Sequence, residues 1–170
     1  MIKFVYFDVG ETVIKDFSGT NNNEHDLEIC CNKFPIEFSA VLEIVKKFER
    51  NESIWPVIQE VIKYFRIGLL TNMYPGMLLE IKKQELLPDV KWNLVVDSSV
   101  EGFAKPGKEI YEIAQKRAGV ETNELLFIDN TLANVEAAKS FGWQTFLYDP
   151  SNYEQSSKNL LEYIQHEFTE

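Results

Sequence analysis

Four residues spaced along the chain are of types that do chemistry together: Asp8, Thr71, Lys105 and Asp129. Asp8 closes the apolar run Phe4-Val5-Tyr6-Phe7 and is followed by Val9-Gly10-Glu11-Thr12. A carboxylate delivered by a strand end to the mouth of a sheet can ligate a metal ion and attack phosphorus, because it is held in line and partly neutralised. The plainer role of a lone strand-end aspartate is a turn or a helix cap. Thr71 ends Ile67-Gly68-Leu69-Leu70, and its hydroxyl can donate to a phosphate oxygen with the amide of Asn72 beside it; alone, it is a β-favouring residue in a strand. Lys105 stands just before Pro106, at a helix start, so its ammonium can reach an anion at the sheet edge. An isolated lysine is ordinarily solvated. Asp129-Asn130 offers side-chain oxygens of the kind Mg²⁺ takes. Each signal is weak alone, but their order, each at the end of a successive element, is specific.

The elements that must position them alternate. Residues 2–7 form a strand, and Pro56 opens a helix with the stripe Val57, Ile58, Val61, Ile62 and Phe65. Strands follow at 67–70, 93–96, 125–128 and 144–148, with helices at 75–86, 106–118, 132–141 and 155–167 between and after them. Gly119 and Gly142 supply the expected helix stops. Short apolar strands alternating with helices predict an α/β fold, a Rossmann-like three-layer sandwich on a parallel five-stranded sheet. Ligands in such sheets bind beyond the carboxyl ends of the strands. Strands ending in Asp8, Thr71, Asp97 and Asp129 are expected to converge on that edge. Residues 15–55 interrupt the alternation. Residues 15–26 are polar, with an Asn triplet at 21–23 expected as a lid over the mouth, and residues 36–49 carry helical spacing.

Composition narrows the partners. The 170 residues are 45% hydrophobic and 26% charged, ordinary globular usage. A formal net charge of −10 argues against nucleic acid and anionic membranes, which need a basic face. It also means that a phosphate site would need local cations. No run approaches the length of a membrane span, and none resembles a signal peptide. Adjacent Cys30 and Cys31 suit free thiols packed in the insertion. These features predict a soluble cytoplasmic protein and leave its oligomeric state, monomer or homodimer, open. His25 and His166 have no partner at ligand spacing, and Trp55, Trp92 and Trp143 stand at element boundaries as core or rim packing.

The motifs together resemble the haloacid dehalogenase (HAD) superfamily of hydrolases. FDVGETV resembles its first motif, LLTN its second, AKPGKEIYEIA its third, and LLFIDNTLANVEAAKSFGWQTFLY its fourth. The likeness covers residues 1–14 and about 56–150, and the insertion at 15–55 falls where the superfamily places a helical C1 cap. The resemblance implies a core of residues 1–14 and 56–170 with a short cap at 15–55. It implies that Asp8 attacks a phosphomonoester, Thr71 and Asn72 bind the phosphoryl oxygens, and Lys105 stabilises charge on both. The Gly10 carbonyl, Asp8, Asp129 and Asn130 would hold Mg²⁺, and the substrate would be a small phosphorylated metabolite.

The chain departs from the pattern at two sites. The family's phosphatases usually carry an Asp two residues after the nucleophile as general acid and base; this chain has Gly10. Glu11 is adjacent, at the usual Gly position. The fourth motif often has a second acid where this chain has Asn130. These changes predict weakened acid–base and metal sites, and leave open an inactive relative that binds a phosphorylated ligand or protein partner. A 2-haloacid dehalogenase would use an arginine from the cap, and Arg50 is the insertion's only one.

Overall fold

Alternation along a strand decides which layer each side chain enters. In β1 (Phe4–Phe7), Phe4 and Tyr6 join one core cluster while Val5 and Phe7 join the other. All four are buried, so β1 is covered on both faces and is central. It pairs in parallel with β4 (Arg66–Thr71) on one side and β6 (Leu125–Asp129) on the other. Outside these lie β5 (Leu94–Asp97) and β7 (Gln144–Leu147), giving the expected five-stranded parallel sheet in the order β5-β4-β1-β6-β7. The computed structural model describes residues 1–15 and 23–168. Of the Asn triplet expected as a lid, Asn21 and Asn22 lie outside the described residues.

Helices complete the sandwich. α3 (Trp55–Val61), α4 (Met77–Lys83) and α8 (Tyr153–Gln165) bring Val57, Ile58, Ile81, Leu160 and Ile164 to the face bearing Val5 and Phe7. α6 (Lys108–Ala118) and α7 (Leu132–Ser140) bring Ile110, Tyr111, Ala114 and Ala138 to the face bearing Phe4 and Tyr6. Gly68 is needed inside β4: a Cβ there would stand 2.8 Å from Tyr6 Cε1 and 2.9 Å from the Leu94 carbonyl oxygen.

The insertion is tied at both ends. β2 (Ile14–Lys15) pairs antiparallel with β3 (Glu49–Arg50). Just beyond β3, buried Asn51 donates to the Thr12 carbonyl at 2.7 Å and to the Tyr148 hydroxyl at 2.9 Å. The helix expected over 36–49 is shorter, α2 (Phe38–Val45), because the chain must extend at Glu49–Arg50 to pair with β2. A further helix, α1 (Glu24–Cys30), begins inside the polar stretch 15–26, expected as loop, and runs on into residues where no element was expected. Asn23 caps it by accepting from the Asp26 N–H at 3.0 Å, and Glu24 and Asp26 complement the dipole of its first turn. Ile29, Cys30, Val41 and Val45 from these helices join the main core cluster. Cys30 and Cys31 are both free thiols. One more short helix, α5 (Ser98–Glu101), was not legible, and α6 begins at Lys108, two residues after Pro106. No described helix is long and apolar enough to cross a membrane.

Candidate active site

Strand register decides which polar ends meet. Phe7 lies level with Leu69 of β4 and Ile128 of β6. One residue further, Asp8 stands level with Leu70 and Asp129. Successive connections from β1 run outward to β4 and β5, then return to β6 and β7, so the switch point lies between β1 and β6. Asp8 and Asp129 are the two carboxylates at that point.

Lys105 reaches them from the loop between α5 and α6. Its ammonium donates to Asp8 Oδ1 at 2.8 Å, to Asp129 Oδ2 at 2.7 Å and to the Leu70 carbonyl at 2.9 Å. An ammonium has three donors, and all are used. The Asn72 carboxamide fixes the lysine's own backbone: the Lys105 N–H donates to Asn72 Oδ1 at 2.9 Å and Asn72 Nδ2 donates to the Lys105 carbonyl at 2.9 Å. Asp129 is fully buried. Its Oδ1 accepts from the Thr131 N–H at 2.7 Å, and its Oδ2 accepts from Asn134 Nδ2 at 3.1 Å as well as from Lys105.

Burial is the first influence on Asp8. It lifts the carboxyl to about 6 against the pull of Lys105, and the Asp129 charge adds to the rise. Burial also works against the Lys105 charge, but Asp129 and then Asp8 outweigh it and hold the ammonium above its ordinary range. The two directions agree on one picture. Lys105 stays charged, and burial leaves the Asp8 carboxylate undercompensated.

Above this floor opens a cleft of about 290 Å³, walled in part by Asp8, Gly10, Glu11, Asn72, Asn130 and Leu27 of α1. Thr71 is buried one step further along β4, level with Asp97; it is not in the cleft wall, and its hydroxyl has no partner among the described residues. Asp97 does not converge on the site as the sequence suggested. β5 is the sheet edge, two strands from β1, and Asp97 Oδ1 instead caps α5 by accepting from the Ser99 N–H and hydroxyl, both at 2.8 Å. Asn130 lines the cleft with its side chain unpaired among the described residues. Arg50 lines a different groove, donating to the Glu85 carbonyl at 2.9 Å with its guanidinium 5.2 Å from the Trp55 ring.

Two site residues escaped the sequence analysis. Asn134, in the first turn of α7, holds Asp129 and is itself anchored by the Tyr111 hydroxyl, 2.9 Å from its carbonyl. The one signal for it was an asparagine five residues after Asp129 in an otherwise small and apolar stretch. Tyr153, at the start of α8, donates to Glu11 Oε2, a contact that no local pattern could announce.

The sequence model of the family described as haloacid dehalogenase-like hydrolase matches residues 5–142. Acyl-CoA dehydrogenase family member 10 of Mus musculus is 27% identical over 145 residues, covering 80% of this chain and 14% of that protein, so the chain spans a small part of that relative's length. A predicted HAD-like family hydrolase from Porphyromonas gingivalis superposes with a TM-score of 0.76 at 21% identity, covering 100% of this chain and 99% of its own. A HAD family enzyme from Bacteroides thetaiotaomicron, solved in complex with magnesium and inorganic phosphate, gives 0.68 at 16% identity, covering 89% and 96%. The 2-haloacid dehalogenase from Pseudomonas syringae gives 0.64 at 12% identity, covering 96% and 100%. These structural likenesses show the shared fold. With the family match spanning most of its length, the chain belongs to the haloacid dehalogenase-like hydrolases.

Proposed function

We propose that this hydrolase cleaves a small phosphomonoester, with Asp8 as nucleophile. The observation that carries the proposal is the single ammonium of Lys105 bonded both to Asp8, in the cleft wall, and to Asp129, fully buried behind it. That grip fixes the attacking carboxylate and prepays its orientation. Asp8 Oδ attacks phosphorus, the ester oxygen departs, and water then hydrolyses the aspartyl phosphate. The Asn72 backbone, in the cleft wall, would donate to a phosphoryl oxygen, while Thr71 lies behind that wall and contacts the site only through its neighbour. The Asn72 side chain is committed to Lys105, so its contribution is to hold the lysine.

Electrostatics calls for a cation. Two carboxylates and one ammonium leave one net negative charge at the site, which repels a phosphate dianion. The donor set fits Mg²⁺: hard oxygens of Asp8, Asn130 and the Gly10 carbonyl surround the cleft, and Mg²⁺ takes one or two carboxylates and keeps several waters. Asp129, with three of about four lone-pair sites in use, keeps one for the ion or for one of its waters. Bound there, the ion would supply charge neutralisation for nucleophile and phosphate. The Bacteroides enzyme solved with magnesium and phosphate supports the same chemistry. Dehalogenation is disfavoured, because Arg50 is engaged with Glu85 and Trp55 rather than lining the cleft.

The test is hydrolysis of p-nitrophenyl phosphate with and without Mg²⁺, beside Asp8→Asn. Turnover is expected with the ion and is lost in the variant. Turnover that survives Asp8→Asn refutes the nucleophile. A wild type inert toward a panel of phosphate esters, yet binding phosphate through the same cleft, favours the non-catalytic reading that Gly10 and Asn130 first raised.

A further inference from the structure

A phosphomonoesterase working at Asp8 needs a group that protonates the departing oxygen and later activates water. Gly10 has no side chain to do so. Lys105 has all three donors engaged by Asp8, Asp129 and Leu70. Among the described residues of the cleft wall, one further side chain can exchange a proton with substrate: Glu11.

Three observations show that Glu11 is built into the site. Its backbone sits at φ 55, in the left-handed region where a glycine would be relaxed and a side chain is strained. Its Oε2 accepts from the Tyr153 hydroxyl. Tyr153 is in turn held by its carbonyl, which accepts from Ser53 Oγ at 3.1 Å and from the Tyr148 hydroxyl at 3.0 Å, while the Lys15 ammonium lies 5.0 Å from its ring centroid. The partner to Glu11 therefore comes from α8, beyond the residues that match the family. Glu11 Oε1 makes no hydrogen bond among the described residues. With Oε2 engaged by the Tyr153 hydroxyl, Oε1 is the oxygen left free to meet substrate or water. A carboxyl oriented by a second group beside the nucleophile is the arrangement expected of an acid–base residue.

We propose that Glu11, oriented by Tyr153, is the general acid and base of this site in place of the absent side chain at position 10. The inference rests on the phosphomonoesterase reading above. In the first step Asp8 Oδ forms a bond to phosphorus, the bond from phosphorus to the ester oxygen breaks, and the proton on Glu11 Oε1 passes to that oxygen, releasing an alcohol. Glu11 is left as carboxylate. In the second step Glu11 takes a proton from water, the water oxygen bonds to phosphorus, and the bond to Asp8 breaks. Inorganic phosphate leaves, Asp8 is again a carboxylate and Glu11 is again protonated.

Leaving groups separate this role from a structural one. A nitrophenolate departs without a proton; an alkoxide does not. Wild type, Glu11→Gln, Tyr153→Phe and Asp8→Asn are compared on p-nitrophenyl phosphate and on glycerol phosphate with Mg²⁺. Glu11→Gln should lower kcat/KM for glycerol phosphate by on the order of 10²-fold or more and change it little for p-nitrophenyl phosphate. It should also release a burst of nitrophenolate, because the phosphoenzyme forms normally and hydrolyses slowly. Tyr153→Phe should show the same pattern, weaker. Equal losses on both esters, or no loss on either, overturn the role of Glu11 while leaving Asp8 as nucleophile. Activity retained in Asp8→Asn, or a wild type that hydrolyses neither ester, overturns the parent reading and this one with it.

Discussion

Replacing Lys105 by Met should destabilise the protein in a pH-dependent way, and the structure sets the size. Asp8 Oδ1 and Asp129 Oδ2 lie 2.8 and 2.7 Å from the same nitrogen, so they are no more than about 5.5 Å apart, the sum of the two bonds. Two unit charges at that distance repel by about 3 kcal/mol at an effective dielectric constant near 20. This agrees with the ~3–5 kcal/mol typical of deleting one partner of a buried ion pair. Met has nearly the volume of the lysine stem, so the cavity contribution is small. The sign with pH follows from Asp8. Its value in the folded protein, about 6, lies above the ordinary 3.8, so its contribution is fully present below about pH 4 and is lost as pH rises through about 6. Without Lys105, burial and Asp129 act on Asp8 unopposed, and the window moves up. Urea denaturation without Mg²⁺ at about pH 8 should show a loss of about 3 kcal/mol, or roughly 6–12 °C in Tm for a chain of this size. At about pH 5 the loss should be smaller by about 1 kcal/mol or more, because protonation of the pair relieves the repulsion. A loss below about 1 kcal/mol at the higher pH, or an equal loss at both, would refute the shared-ammonium account.

Asn72→Ala leaves the Lys105 N–H and carbonyl without their partner, which should cost about 1–3 kcal/mol by thermal denaturation and lower turnover by loosening the lysine. Unchanged kcat with unchanged Tm would show that the clamp is dispensable. Gly68→Ala drives a Cβ to 2.8 Å from Tyr6 and 2.9 Å from the Leu94 carbonyl, and should destabilise by about 1–3 kcal/mol without altering the pH dependence of folding. A stabilised variant would mean that β4 and β5 separate more easily than their pairing implies.

Much of this protein was legible in its sequence, because the signals are local. Apolar runs of strand length alternating with helical stripes fixed a parallel, doubly covered sheet, and each chemical residue sits where an element ends. The position of Asp8 followed from four buried residues and one abrupt acid. Short-range chemistry failed where composition misled: Asn23 capping turned a polar stretch into α1, and pairing of Glu49–Arg50 with Ile14–Lys15 cut α2 short. What only tertiary structure decided was which strand ends are neighbours. Register placed Asp129 level with Asp8 and left Asp97 at the sheet edge capping its own helix. The direction of Glu11 was likewise undetermined by its neighbours in sequence. It depends on a backbone turned to φ 55 and on a tyrosine 142 residues away, a contact that exists only once α8 has packed.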